Sequence, residues 1–381
     1  MAVTEEKRMR RVLMLGPLPP PFGGIASLMQ AIIGSNLAHD YSFEIFVRES
    51  IMPGKWSGLI SRTLFRVKRF ARFFIVLRKT RYDFVHMHVA FNRSFLGTVV
   101  FMLIAKITRT KVLLHIHGTD WGMRYKQVNP GLKLVYLIGV RMADRIVVLF
   151  DAWNANIRKL APRTPVHTLH NFLEDVETRV PHQCSSLREQ IGAGEDCLLV
   201  LTVGFVGWRK GHLDILDALP RIVEANERVR FVMVGGEEFP GESLPVVRKI
   251  EEEGLGKYVS VIKEVDRDII QKYLLEADIF LLPSRREGMP MSILEAMRAG
   301  CTIVCSTVGG IPDMIEHEKS GLLVKPGSPP DIADALEHLI KNQTLCSDLG
   351  EGARKAFEER FEQNVGVRKL AEIYDLMCHS P

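Results

Sequence analysis

What the 381-residue sequence lacks narrows its reading first. No cysteine precedes residue 184, and the six present, at positions 184, 197, 301, 305, 346 and 378, show no paired metal spacing. Cys301 and Cys305 lie in a β-branched, strand-like run and read as core packing, and the cysteine usage as a whole reads as cytosolic. The longest apolar run, near Phe95 to Ala105, is too short to cross a bilayer. The charged start from Met1 to Arg11 runs straight into a strand-like stretch and does not read as a signal peptide. No G-x-G-x-x-G follows the first strand, so the dinucleotide fingerprint is missing. No Asp-x-Asp follows a buried strand, as it would in a metal-dependent sugar transferase. Asp266-Arg267-Asp268 has those letters but precedes Ile269-Ile270 as a helix start, where capping explains it. No ligand set for a metal, and no cofactor, is therefore expected.

What is there is ordinary globular composition, with 46% hydrophobic and 25% charged residues, in a length that suits two domains. The net charge of +5 conceals a split: residues 1–180 carry +15 and the remainder −10. The first half is thus expected to face something anionic. Between Ile51 and Tyr82 there is no acid at all, while Arg62, Arg66, Lys68, Arg69, Arg72, Arg78, Lys79 and Arg81 cluster. At helical spacing Ile60, Leu64, Val67, Ala71 and Phe74 form one face. Arg62, Arg66 and Arg69 lie opposite, flanked by Phe65, Phe70 and Phe73, with Phe70 and Phe73 as the aromatics expected to insert. An acid-free basic helix with bordering aromatics fits an anionic bilayer surface; a plain surface helix is the alternative, and no recognised motif supports nucleic acid.

Short apolar runs alternate with helix-period segments along the whole chain. They predict strands at Val12–Gly16, Phe43–Val47, Phe84–Met87, Val112–Ile116, Ile146–Leu149, Leu198–Val203, Phe231–Val234, Ser260–Lys263, Ile279–Leu282 and Thr302–Cys305, with helices such as Leu213–Ala225 and Ile269–Leu275 between them. Unalternating apolar strands separated by helices read as parallel sheets covered on both faces. A polar stretch, Pro181–Glu195, is the linker expected between two doubly wound α/β domains. Ligand is expected at strand C-termini in the cleft between them.

Two places concentrate chemistry in the second half. In Ala277–Met297 a buried strand ends at Pro283, a loop carries Glu287 and Gly288, and Pro290 suits the first turn of a helix. That helix start offers N–H groups and positive dipole to an anion. Glu287 on the loop and Glu295 inside the helix are placed to accept from hydroxyl pairs on two parts of one extended ligand; two dipole-favoured acids without a ligand are the bland alternative. Upstream, Leu201–Gly211 runs a strand into a glycine-punctuated loop with Arg209 and Lys210, cations suited to a leaving diphosphate or to a solvated turn. Lys210, on a loop, is expected to be replaceable without loss of the fold. In the first half, Gly23-Gly24 opens a helix after a proline-rich loop. Leu113–Trp121 ends a strand with His115 and His117 on one face. His86 and His88, in Val85–Ala90, read as packing or as the rim of an acceptor site.

From Leu198 to about Leu336, the blocks VGFVGWRKG, VMVGG, ADIFLLPSRREGMPMSILEAMRAG, VGGIPDMIE and GLLVKPG resemble, in order and spacing, the retaining GT-B glycosyltransferases typified by sucrose-phosphate and bacterial cell-envelope enzymes. The resemblance implies two Rossmann-like domains facing a cleft: residues 1–181 on the acceptor side, 182–365 binding nucleotide sugar, and a C-terminal helix, 366–381, returning to the first. It implies Glu287 on donor sugar hydroxyls, Glu295 on the ribose, Arg209 or Lys210 on the diphosphate, and backbone amides from Gly288 through Met289, Pro290, Met291 and Ser292 to Ile293 touching sugar and phosphate. Gly207 would belong to the phosphate loop, and Gly23 and Gly24 would close over the phosphates. His117 matches the family's histidine near the anomeric carbon, with Asp120 and His88 as acceptor-side groups. Many members carry Arg where this chain has Phe205, a charge that Arg209 would supply instead; many carry Gly where it has Lys263, near the expected nucleobase pocket, which leaves the base open. The implied activity is metal-independent hexosyl transfer with retention, from a UDP-sugar or GDP-mannose to a lipid-linked or glycan acceptor at the inner face of the cell membrane. Phosphorylase, nucleotide-sugar epimerase and non-catalytic nucleotide-sugar-binding subunit are the rivals.

Overall fold

Alternate apolar runs of four to seven residues have no polar face to turn to water, so they pair side by side and take helices on both faces. In the computed structural model, which describes residues 8–18, 23–47, 59–90, 95–118, 129–174, 186–263 and 265–379, they form two six-stranded sheets with every pairing parallel. The chain divides into one unit of residues 1–172 with 363–381 and another of residues 173–362.

The first unit holds β1 (Arg10–Gly16), β2 (Tyr41–Val47), β3 (Phe84–Val89), β4 (Lys111–Ile116), β5 (Arg145–Val148) and β6 (Val166–Thr168), in the order β2-β1-β3-β4-β5-β6. The second holds β7 (Leu198–Val203), β8 (Val229–Val234), β9 (Val259–Ile262), β10 (Ile279–Leu282), β11 (Thr302–Ser306) and β12 (Leu322–Val324), in the order β12-β11-β10-β7-β8-β9. The strand sequence reverses direction between β1 and β3 in one sheet and between β7 and β10 in the other. Such reversals leave a crevice at the strand C-termini, because the flanking connections depart to opposite faces. The central seam of the second sheet is tied by side chains as well. Thr202 Oγ1 donates to the carbonyl of Leu281 at 2.9 Å, and Asp278 Oδ2 accepts from the amide of Leu199 at 2.7 Å.

The last helix, Gln363–His379, packs on the first sheet. Its Val367, Leu370, Ile373, Tyr374 and Met377 join Val12, Met14, Tyr41 and Phe84 in one core. Of the stretch expected as a linker, the described part forms a short helix, Leu187–Gln190. Ser186 accepts at its start and Glu189 answers in a full capping box. Cys301 and Cys305 are buried, as core packing requires. Leu59–Lys79 is a helix, but it is turned the other way round from the expectation. Phe73 is fully buried, stacking edge-on against Phe46 and Phe101 at 5.1 and 4.9 Å, and Phe70 meets Phe101 at 4.9 Å. The aliphatic stripe faces outward instead, with Leu64 50% and Val67 56% exposed, and Phe74 exposed beside them. The phenylalanines bury more apolar area than the aliphatic face would, so they take the core side.

Candidate active site

The second unit's crevice is built from the two loops that leave β7 and β10. After β7 the chain passes Gly204, whose φ of +146° belongs to glycine, and a Cβ there would sit 3.0 Å from Lys210 Cε. The bare position lets the Lys210 stem lie across the strand end. After β10, Ser284 and Glu287 come up on the adjacent loop. Lys210 Nζ donates to Glu287 Oε1 at 2.6 Å, and Ser284 Oγ donates to the same oxygen at 2.8 Å. The two charged side chains are only 7% and 6% exposed. Lys210 is therefore half of a buried ion pair, which revises the expectation that it can be removed from a loop at no cost to the fold. Arg209 lies at the rim: its Nε donates to Glu238 at 2.8 Å, and its Nη1 stands 4.0 Å from Glu287 Oε2.

Several supports were not foreseen. Gly309 has φ +58°, and a Cβ there would collide with the carbonyl of Glu287, while Gly310 donates its amide to Gly288 at 2.6 Å. The Val308–Gly310 loop thus clamps the Glu287–Gly288 loop from behind. Arg285 reaches Asp214 with two hydrogen bonds, at 2.9 and 2.6 Å, and lies over the Trp208 ring with Arg286. His212 is buried, its Nδ1 3.2 Å from the amide of Gly207 and 3.1 Å from its carbonyl, and burial lowers it to about 4. Polar residues just beyond apolar strand ends, such as Ser284, were the one signal available for these.

Past Gly288, Met289 and Pro290 are buried, and the helix Met291–Ala299 begins with Pro290 as its N-cap and no side-chain cap, one residue later than expected. Its first turn, Met291 to Ile293, directs backbone N–H and positive dipole to the crevice end of β10. Glu295 lies further along, 8% exposed, and its Oε1 accepts from Arg267 at 3.2 and 3.3 Å. Burial raises its carboxyl above the usual range, with Arg267 and Arg298 opposing. The second unit thus holds Lys210, Glu287, Gly288 and the helix start in one constellation, with Gly207 beside it and Glu295 behind.

In the first unit, Gly23 is the N-cap of the helix Gly24–Ile33. His117 stands directly after β4, its amide donating to Val89. His88 is not at a rim: it lies buried against His117, with His88 Nδ1 and His117 Nε2 3.0 Å apart. Among the described residues, the one grouping of metal-type ligands is His86, His88 and His115, whose ligand atoms lie within 4.8 Å of one another and engage each other, His117 and Tyr374. No carboxylate accompanies them. Burial lowers His117 and His86 to about 3, and it holds His88 and His115 well below the usual imidazole range. Asp120 lies outside the described residues.

Residues 185–356 match the family described as Glycosyl transferases group 1, and residues 45–171 match the Glycosyl transferase 4-like domain. The N-acetyl-alpha-D-glucosaminyl L-malate synthase of Bacillus anthracis is 24% identical over 78% of this chain and 76% of its own length. A GDP-mannose-dependent alpha-(1-6)-phosphatidylinositol monomannoside mannosyltransferase of Mycobacterium tuberculosis is 25% identical over 71% and 70%. In fold, the HepE protein of Anabaena, solved with UDP-glucose, superimposes with a TM-score of 0.75 at 18% identity, covering 96% of this chain and 99% of that one. The two matches together take in β3 to β6 of the first sheet and all of the second, and both sheets carry a doubly wound parallel order; the chain belongs to the group 1 glycosyltransferases and is a glycosyltransferase of the GT-B fold.

Proposed function

We propose that the protein transfers a hexosyl group with retention, from a UDP-sugar or GDP-mannose to a lipid-linked or glycan acceptor in cell-envelope polysaccharide or glycolipid synthesis. The observation that supports this best is the buried Lys210–Glu287 pair beside an uncapped helix start. Lys210 and the backbone N–H groups of Gly288, Met289 and Met291 to Ile293 meet the diphosphate, with Arg209 and the Gly23-Gly24 turn as further contacts. Glu287 holds donor sugar hydroxyls, Glu295 the ribose, and His117 a sugar oxygen. In front-face displacement the bond from the anomeric carbon to the phosphate oxygen breaks while the acceptor oxygen bonds on the same face. The acceptor proton passes to the departing phosphate. The protein then supplies charge and position rather than a strong base. Names of relatives and neighbours that carry GDP-mannose and UDP-glucose support both donor classes. A phosphorylase would need inorganic phosphate for turnover and an epimerase would need no acceptor, so product analysis with a panel of donors, with and without lipid extract, decides among them.

Metal is not required in this reading, because cations and a helix dipole meet the leaving charge. Activity is expected to persist in excess EDTA; complete loss that Mg²⁺ or Mn²⁺ restores would count directly against it.

In this reading the acceptor side works at an anionic membrane surface on the cytoplasmic face. Nine of the seventeen large apolar side chains exposed among the described residues lie on Leu59–Lys79, Phe95–Ile107 and Pro130–Met142, which pack side by side. Those three helices contain no acid. No helix among the described residues is long and apolar enough to cross a membrane, so contact would be interfacial. Each basic residue at such a surface contributes about 1 kcal/mol, screened over roughly 10 Å at 0.1 M salt. Binding to vesicles should need anionic lipid and weaken with salt, and Arg62, Arg66 and Arg72 changed to Gln should release the protein. The salt-resistant remainder is expected from Leu64, Val67 and Phe74, since Phe73 faces the core. A wild type that ignores anionic vesicles at low salt would make a soluble acceptor the better assignment.

A further inference from the structure

Alternate residues of a strand share a face, so His86 and His88 on β3 and His115 and His117 at the end of β4 point the same way, and the register sets His88 beside His115. The rings pair across the strands, His86 with His115 at an interplanar angle of 2° and His88 with His117 at 20°. Three contacts link them. His86 Nδ1 lies 2.8 Å from Tyr374 Oη, His86 Nε2 lies 3.3 Å from His115 Nδ1, and His88 Nδ1 lies 3.0 Å from His117 Nε2. The Nε2 atoms of His88 and His115 are buried and have no partner among the described residues. Burial lowers all four histidines far enough that each is neutral near pH 7.

A neutral imidazole carries one N–H and one bare nitrogen. A buried N–H without an acceptor is rarer in proteins than an under-used lone pair. With the proton of His88 on Nδ1, its unpartnered Nε2 becomes a lone pair, and His88 Nδ1–H donates to His117 Nε2. The opposite direction would strand a buried Nε2–H on His88. The His115–His86–Tyr374 chain leaves one buried donor over in either direction, His115 Nε2–H or the Tyr374 hydroxyl, and the His88–His117 pair does not depend on it. His117, accepting at Nε2, keeps its own proton on Nδ1.

We infer that His88 is a positioning residue that locks His117 in its Nδ1–H tautomer, so that His117 meets a sugar oxygen as a hydrogen-bond donor and not as a general base. This rests on the assignment of His117 to the sugar site above. It accords with a reaction in which the departing phosphate takes the acceptor proton.

Long-range ¹H–¹⁵N spectra of the wild-type protein labelled in histidine read the tautomers directly, and kinetics read the role. His117 is expected to show the Nδ1–H pattern. His88→Leu should lower kcat about tenfold with little change in donor KM, roughly what one orienting hydrogen bond is worth. His88→Asn, whose amide nitrogen can stand where Nδ1 stood, should recover most of the loss. An Nε2–H pattern at His117 overturns the inference whatever the kinetics. So does a His88→Leu enzyme of unchanged kcat when His117→Ala is inactive. If His117→Ala itself keeps full turnover while the Nδ1–H pattern is present, the tautomer assignment holds and it is the sugar-site role of His117 that falls.

Discussion

Replacing Lys210 with Ala is expected to lower turnover by a hundredfold or more, the scale of losing a preorganised electrostatic stabiliser. The geometry adds a second effect. Lys210 Nζ sits 2.6 Å from a buried Glu287, and removing one partner of such a pair leaves an uncompensated charge at a cost of about 3–5 kcal/mol. The single variant should therefore unfold at a lower temperature as well as react slowly. The paired change Lys210→Met with Glu287→Gln removes both charges, and Gln can still accept from Ser284 Oγ. It should regain much of the stability and none of the turnover. Thermal unfolding and single-turnover rates on the two proteins separate the effects, and a folded Lys210→Ala enzyme of wild-type rate would end the leaving-group assignment.

The two glutamates should divide in a way that binding measurements can read. Glu295→Ala is expected to weaken free UDP or GDP by roughly ten- to a hundredfold, as loss of a charge-assisted hydrogen bond to ribose hydroxyls of about 1.5–3 kcal/mol implies. Its partner Arg267 is about a third exposed and can turn to water, so little stability should be lost with it. Glu287→Gln should leave free nucleotide affinity nearly unchanged and depress sugar transfer instead. Calorimetry with nucleotide alone, set beside kcat with the full donor, tests both at once. The reverse pattern would exchange their roles.

Ten of the twelve strands were legible because each is rich in apolar and β-branched residues over at least four positions. The two that were not, Val166–Thr168 and Leu322–Val324, are three-residue strands at the outer edges of the sheets. The edge strands β2 and β9 were legible, so length is what separates these two: three residues are too few to show either a run or a period. Lys210 and Glu287 stood out as charges where apolar strands run into glycines. Ser284, His212, Asp214 and the Gly309 clamp did not, because their meaning lies in contacts between segments far apart in the chain. Asp214 is met by Arg285 and Gly309 by Glu287, and neither pairing has a local signature. The basic helix shows a different limit. A 3.6-residue period declares that two faces exist, yet with Phe70 and Phe73 on one and Leu64 and Val67 on the other it cannot say which is inside.

The first unit is assembled from two separate pieces of chain, and this bears on how the protein is made. Tyr374 closes over Tyr41, Phe84 and His86, so the first 172 residues lack part of their own core until residues 363–381 have been synthesised. Residues 173–362 are contiguous and need no such wait. On the ribosome the order of completion should therefore invert the order of synthesis, with the later unit finished first and the earlier one held open for the helix Gln363–His379. Cut at residue 362, the first unit should become protease-sensitive while residues 173–362 stay resistant, and a synthetic peptide of 363–381 added in trans is the piece to test for its recovery.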